Sequence, residues 1–200
     1  MQEVVAQSQI EELIPPELQE VVHYIKEKLS PYRRAHIFRV VYYSSRLAQR
    51  FYPGKVEVEQ KAKIAALLHD ITKEEKKEFH LELFERHGLL AEYKDIPGPV
   101  MHSKSAALFA REKFGIWDEE VAEACACHTT GKAGMGVVAQ IVFAADMMGS
   151  LSEEEIKQKE NLSLKELCLE KLIYSLKSVL EKKGRIHPDS WLYYDFLLRS

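Results

Sequence analysis

The sequence predicts an all-α fold, and three features predict it. Apolar residues recur at three- and four-residue spacing in segment after segment, the period of one helix face. Few stretches alternate with period two, and β-branched runs are short, which disfavours strands. Proline and glycine stand between the periodic segments, where they punctuate helices.

Pro15-Pro16 opens a first helix whose stripe is Leu18, Val22, Ile25 and Leu29; proline suits a first helical turn. Ser30-Pro31 punctuates, a second helix runs from about Tyr32 to Phe51, and Pro53-Gly54 ends it. A third covers about Glu57 to His69. A charged helix, expected to be exposed, spans about Glu74 to His87 with Gly88 as its C-terminal cap. Residues 94 to 100, with Pro97-Gly98-Pro99, read as a loop. Helices follow at about Met101 to Phe114 and Asp118 to His128, the latter with acidic residues in its first turn, where the helix dipole favours them. Thr129 to Gly136 holds three glycines and reads as a loop before a helix at about Val137 to Met148. Gly149 to Asn161 is polar and acidic and is expected to be mobile. Ser163 and Glu166 form a capping box opening the last helix, about 163 to 183, closed by Gly184. Residues 1–30 then form an N-terminal helix packed on a core domain of residues 31–200.

The 200 residues are 46% hydrophobic and 30% charged, enough apolar material for one substantial core. Net charge is −3 with histidine neutral, which does not advertise a nucleic-acid partner; a small anionic substrate needs local positive charge instead. Met1 to Ile10 lacks the basic start and apolar run of a signal peptide. No stretch approaches the roughly 20 apolar residues of a membrane span. A soluble, cytoplasmic protein is expected, with homodimerisation left open. Cys125, Cys127 and Cys168 make an odd count without a framework pattern, so they read as reduced thiols. One residue separates Cys125 from Cys127, which does not match a zinc ribbon; both read as small buried residues.

Five helices each turn imidazole or carboxylate groups inward. His36 shares a stripe with Val40, Tyr43 and Leu47. His69 follows Ala62, Ala65 and Ala66 on one face, and Asp70 comes next. His102 aligns with Ala106 and Phe109, His128 with Val121, Ala124 and Cys125, and Asp146 with Ala139, Val142 and Phe143. A buried imidazole or carboxylate is costly unless paired, hydrogen-bonded or metal-bound. One such residue is ordinary; six in a short chain favour a cation at the centre of the bundle. Mixed imidazole and carboxylate donors suit iron, manganese, zinc or nickel better than calcium or magnesium.

The order His36, then Leu67-Leu68-His69-Asp70, then Asp146 resembles the H…HD…D signature of HD-domain phosphohydrolases. The finer resemblance is to the YqeK family, the bacterial symmetrical dinucleoside tetraphosphate hydrolases. It is carried by Arg33-Arg34-Ala35-His36, Ala65 to Lys73, His102-Ser103-Lys104, His128 to Met135, Ala144-Ala145-Asp146 and Lys183 to Asp189. It covers roughly residues 20 to 200. The resemblance implies a helical bundle with the metal, iron first, in its core. His36, His69, Asp70 and Asp146 would hold that metal. Arg33, Lys73, His102, His128 and Thr129 would meet the phosphates of a nucleotide.

On this reading Asp70, His102 and His128 carry the chemistry, the two histidines as donors to the leaving phosphate. The loop from Thr129 to Gly131 would offer backbone N–H groups to phosphate oxygens. The implied reaction is hydrolysis of a phosphoanhydride by a metal-activated water; cutting diadenosine tetraphosphate symmetrically would leave two ADP. Hydrolysis of another nucleotide (a monophosphate, a deoxynucleotide or an alarmone) is the alternative, as is a nucleotide-binding module without turnover. One departure favours the latter. In the family a Glu-Pro-containing segment ending in Arg follows the metal aspartate, whereas Met147 to Glu153 here brings no basic group and ends acidic. His23, His80 and His87 read as exposed, and His187 as a packing residue.

Overall fold

The computed structural model describes residues 14–199, so the reading of Met1 to Ile10 lies outside the described residues. Among them the chain forms eleven α-helices and no strand. A 3₁₀ turn, Pro16–Leu18, leads into α1 (Gln19–Lys28). Leu18, Val22, Ile25 and Leu29 are all buried, as their spacing predicts, and they join the main core.

Helix α2 (Pro31–Phe51) starts one residue earlier than expected because Ser30 caps it, its Oγ accepting from the Arg33 N–H, with Pro31 in the first turn. Helix α3 (Val56–Leu68) ends at the residue before His69. Turns then carry residues 69–75 to α4 (Lys77–Arg86). Although charged, α4 is not simply a solvated helix. His80, Leu83 and Phe84 are buried, and the two apolar side chains form a second small core with Met101 and Leu108. His80 is therefore a correction: its Nδ1 is 2.8 Å from Ser105 Oγ. His87 is half-buried with Nε2 3.0 Å from Glu112 Oε1, so it too is not simply exposed.

The expected loop at 94–100 is shorter than read. A four-residue helix, α5 (Leu90–Tyr93), precedes it, and α6 (Gly98–Phe114) already begins at Gly98. Proline in a first turn forfeits no hydrogen bond, because that N–H has no intrahelical acceptor. Gly115, at φ 67°, closes α6 in the left-handed region. Asp118 caps α7 (Glu119–Cys127) through the N–H groups of Glu120 and Val121. Helix α8 (Val137–Met148) falls where the pattern predicts and packs on α2, α3 and α7.

The segment expected to be mobile contains α9 (Glu153–Lys157), started by a Ser152–Glu155 capping box. Helix α10 (Leu164–Glu181) opens with the predicted Ser163–Glu166 box and packs on α8. It is not the last helix: α11 (Pro188–Arg199) follows. Its buried face is carried by Ser190, Tyr193 and Leu197, while Trp191, Leu192, Phe196 and Leu198 are exposed. Apolar residues on both faces hide the stripe from a periodicity reading.

Candidate metal centre

The ends of α3 and α7 are built alike. The last carbonyls of a helix have no intrahelical donor. At the end of α3, His69 turns its ring back so that Nδ1 donates to the Ala66 carbonyl at 2.6 Å. At the end of α7, His128 does the same to Cys125 at 2.8 Å. Each bond places a proton on Nδ1, so that the neutral ring presents an Nε2 lone pair to the bundle interior, as metal-ligating imidazoles require. The two rings meet edge to face, 4.9 Å between centroids.

His36 reaches the same interior from α2 and Asp146 from α8. His36 Nε2 lies 3.0 Å from Asp146 Oδ1 and 3.4 Å from His69 Nε2, and His69 Nε2 lies 3.7 Å from Asp146 Oδ1. Ligand atoms about 2.1 Å from one transition-metal ion stand roughly 3.0–3.4 Å apart; two of these separations fall in that range and the third is slightly wider, so the three donors could hold a common cation. A second group shares His69 and adds Asp70 and His128. Asp70 links the two. Its Oδ2 is 3.8 Å from His36 Nε2 and 3.6 Å from His69 Nε2. Its Oδ1 is 3.0 Å from His102 Nε2 and 3.3 Å from His128 Nε2. All six residues singled out in the sequence are thus brought together, as two overlapping groups rather than one.

The donor chemistry of the second group carries the fit to a metal. Lys73 Nζ, a donor only, stands 2.9 Å from His102 Nε2, so that nitrogen accepts. His102 Nε2 and His128 Nε2 are 3.0 Å apart, and Asp70 Oδ1 is buried without a hydrogen bond among the described residues. Three acceptors therefore converge with no hydrogen between them. Such a cluster is costly alone and is relieved by a cation.

Burial opposes charge on Asp70, yet the His69 and Lys73 charges outweigh it and hold its carboxyl well below the usual carboxylate range. Burial likewise opposes charge on Asp146, where Lys171, followed by His36 and His69, wins and lowers its pKa. For His69, burial is outweighed by the Asp70 and Asp146 carboxylates, and its pKa is raised. His102 goes the other way, pushed down to about 3 by burial and then by the Lys73 ammonium. Burial also lowers His128. With lowered pKa values both rings are neutral, and the Nε2 atoms that face Asp70 are hydrogen-bond acceptors.

Positive charge sits beside the cluster. The Arg33 guanidinium donates to Asp70 Oδ2, and Lys73 lies 3.7 Å from Asp70 Oδ1. Thr129 Oγ1 is 3.1 Å from Ser103 Oγ, half-buried beside His128. Gly131 is not available to a phosphate: its N–H donates to the Cys127 carbonyl at 2.7 Å. Its φ of 66° and missing side chain make room for the Tyr193 ring. A cleft of about 670 Å³ lined by Tyr93, Lys104, Trp117 and Asp189 includes none of the six donors, so the chemistry is read from the donor cluster. Burial raises the Cys125 and Cys127 thiols to about 12 and 11, which leaves them inert.

Two groups escape a reading of the sequence. Thr72, Ser105 and His80 form a buried polar layer under His102: the Thr72 and Ser105 hydroxyls both reach the His102 carbonyl, and Ser105 Oγ meets His80. The other is Lys171 on α10, with Nζ 2.6 Å from Asp146 Oδ2. Its signal is present: Leu164, Leu167, Cys168, Lys171 and Leu172 form one helix face, and a lysine inside an apolar stripe needs a counter-charge.

Comparison with known proteins agrees with this geometry. Residues 33–170 match the HD domain family. A Bacillus subtilis protein named bis(5′-nucleosyl)-tetraphosphatase, symmetrical, is 24% identical, covering 90% of this chain and 97% of its own. A relative of the same name from Halalkalibacterium halodurans is 28% identical over 87% of this chain and 93% of its own. The crystal structure of a Clostridium acetobutylicum protein named a predicted HD superfamily hydrolase involved in NAD metabolism superposes with a TM-score of 0.79 at 26% identity. The match covers 90% of this chain and 96% of that one. The match spans α2 through the first turns of α10, the helices that bring His36, His69, Asp70, His102, His128 and Asp146 together, and the chain belongs to the HD domain family.

Proposed function

We propose that this chain is a metal-dependent phosphohydrolase that cuts dinucleoside tetraphosphates symmetrically, taking one water and diadenosine tetraphosphate to two ADP. The convergence of acceptors on Asp70 carries the reading, supported by the names of the Bacillus and Halalkalibacterium relatives. His36, His69, Asp70 and Asp146 are the ligands we assign, with His128 and His102 completing the side of Asp70 Oδ1. Iron is the metal we assign first, since imidazole and carboxylate together suit it, with manganese, nickel and zinc as rivals. No helix of the described residues is long and apolar enough to cross a membrane; with three free buried thiols, this supports a cytoplasmic reading.

A bound cation supplies a Lewis acid for a phosphoryl oxygen and activates the water nucleophile. The residues of the chain supply the rest. Arg33 and Lys73 neutralise phosphate charge, the guanidinium able to engage two oxygens at once. His102 and His128 are acceptors, so the proton for a leaving phosphate falls to Lys73, whose pKa burial lowers. Thr129 offers its hydroxyl at the rim. The polar layer of Thr72, Ser105 and His80 fixes the backbone of His102.

The test is product analysis with diadenosine tetraphosphate and a nucleotide panel, using protein loaded with iron or manganese. ADP as the sole product from the tetraphosphate is expected. Release of ATP with AMP, or binding without product under every metal, defeats the reading.

A further inference from the structure

Asp146 has two oxygens in different company. Oδ1 faces His36 and His69. Oδ2 is taken by Lys171, whose Nζ lies 2.6 Å away and 5.6 Å from the centroid of the Phe143 ring. Lys171 is only 7% exposed and comes from α10, a helix that contributes no donor to the cluster. A buried lysine is retained only against a counter-charge, and this one meets the oxygen turned away from the imidazoles.

We propose that Lys171 is a positioning residue of the metal centre. It occupies Asp146 Oδ2, so that the aspartate offers one oxygen to the cation, and it lowers the negative charge of the site by one. The inference rests on the reading of the cluster as a metal centre. A carboxylate free at both oxygens can chelate one ion through both, and loss of a nearby positive charge favours a dication. Lys171 therefore weakens the hold on the metal while keeping the carboxylate in one orientation.

The experiment is Mn²⁺ titration of metal-free wild type, Lys171→Met and Lys171→Arg by calorimetry, with electron paramagnetic resonance spectra of the Mn²⁺ forms and steady-state kinetics. Lys171→Met keeps the apolar stem over Phe143. It is expected to bind Mn²⁺ more tightly, to change the spectrum, and to lose about 10- to 100-fold in kcat with a smaller change in KM. Lys171→Arg, which keeps a cation, is expected to restore spectrum and affinity towards wild type. Lys171→Gln, one bond shorter and polar, carries the same expectation as Met if the latter does not fold. Unchanged affinity and spectrum in a folded Met or Gln variant overturn the proposal, as does loss of fold in both, which makes Lys171 a counter-ion of the fold. Wild-type protein that binds no Mn²⁺ overturns the metal reading itself, a result distinct from the first.

Discussion

Asp70 Oδ1 and His102 Nε2 lie 3.0 Å apart without a hydrogen bond between them. Lys73 donates to that nitrogen, and the carboxylate, held ionised, has no hydrogen to give. Contacts of this length between two acceptors are repulsive. The side chains hold them there because the surrounding helices are packed around them, and a cation converts the repulsion into binding.

Asp70→Ala should then remove both metal and turnover. The metal's contribution to a transition state is several kcal/mol, which corresponds to roughly 10³-fold in kcat/KM. Elemental analysis of protein purified without added metal and the tetraphosphate assay check the two halves separately. Retained turnover in a metal-free variant contradicts the assignment.

The metal-free protein should be acid-sensitive above the carboxylate range. His102 is neutral in the fold, with its pKa pushed down from 6.5 to about 3 by burial and Lys73. Between those values the unfolded chain binds the proton and the folded chain does not. Stability therefore falls as pH drops from 6.5 towards 3. His128 acts in the same direction, and His69, whose pKa is raised, acts oppositely. Comparing urea midpoints of wild type and His102→Gln from pH 7 to pH 4 isolates the His102 part: the variant should show the shallower decline. Parallel declines would assign the acid sensitivity elsewhere.

What the sequence makes legible follows from what periodicity can carry. His36, His69, His102, His128 and Asp146 are readable because each continues an apolar stripe, Asp70 because it directly follows His69, and a costly group on a buried face needs a reason. That Asp70 serves two donor groups is not readable, since it depends on how α3, α6 and α7 approach one another. His80 is hidden by the charge of its neighbours from Lys76 to Glu85; only the stripe of His80, Leu83 and Phe84 marks its buried face. Gly131 misleads, because a glycine loop beside a histidine resembles a phosphate cradle, whereas the space it frees is filled by Tyr193 from α11, far along the chain.

Gly149 governs how closely α8 approaches His36. A Cβ there would sit 2.5 Å from Val40 Cγ2 and 3.3 Å from His36 Cε1. Gly149→Ala should cost about 1–3 kcal/mol by overpacking, or roughly 2–12 °C in Tm for a chain of this size, and should weaken metal binding by displacing the His36 ring. Thermal unfolding without metal and Mn²⁺ titration measure the two effects. A stability loss without any change in affinity would show that Val40 alone yields.

Gly131 decides between a packing and a phosphate role for its loop. Its φ of 66° is in the left-handed region, and a Cβ would collide with the Cδ1–Cε1 edge of the Tyr193 ring. The backbone term is roughly 1–2 kcal/mol for an L residue, and overpacking adds about 1–3 kcal/mol. Gly131→Ala should therefore lower stability by roughly 2–5 kcal/mol. If packing is the cause, Tyr193→Ala in the same chain should recover the steric part and leave the backbone part, giving a non-zero coupling in a double-mutant cycle. A phosphate role predicts something else: a raised KM with stability unchanged and no coupling to Tyr193. Because the Gly131 N–H already donates to Cys127, the first pattern is the one expected, with KM near wild type in whatever fraction of Gly131→Ala remains folded.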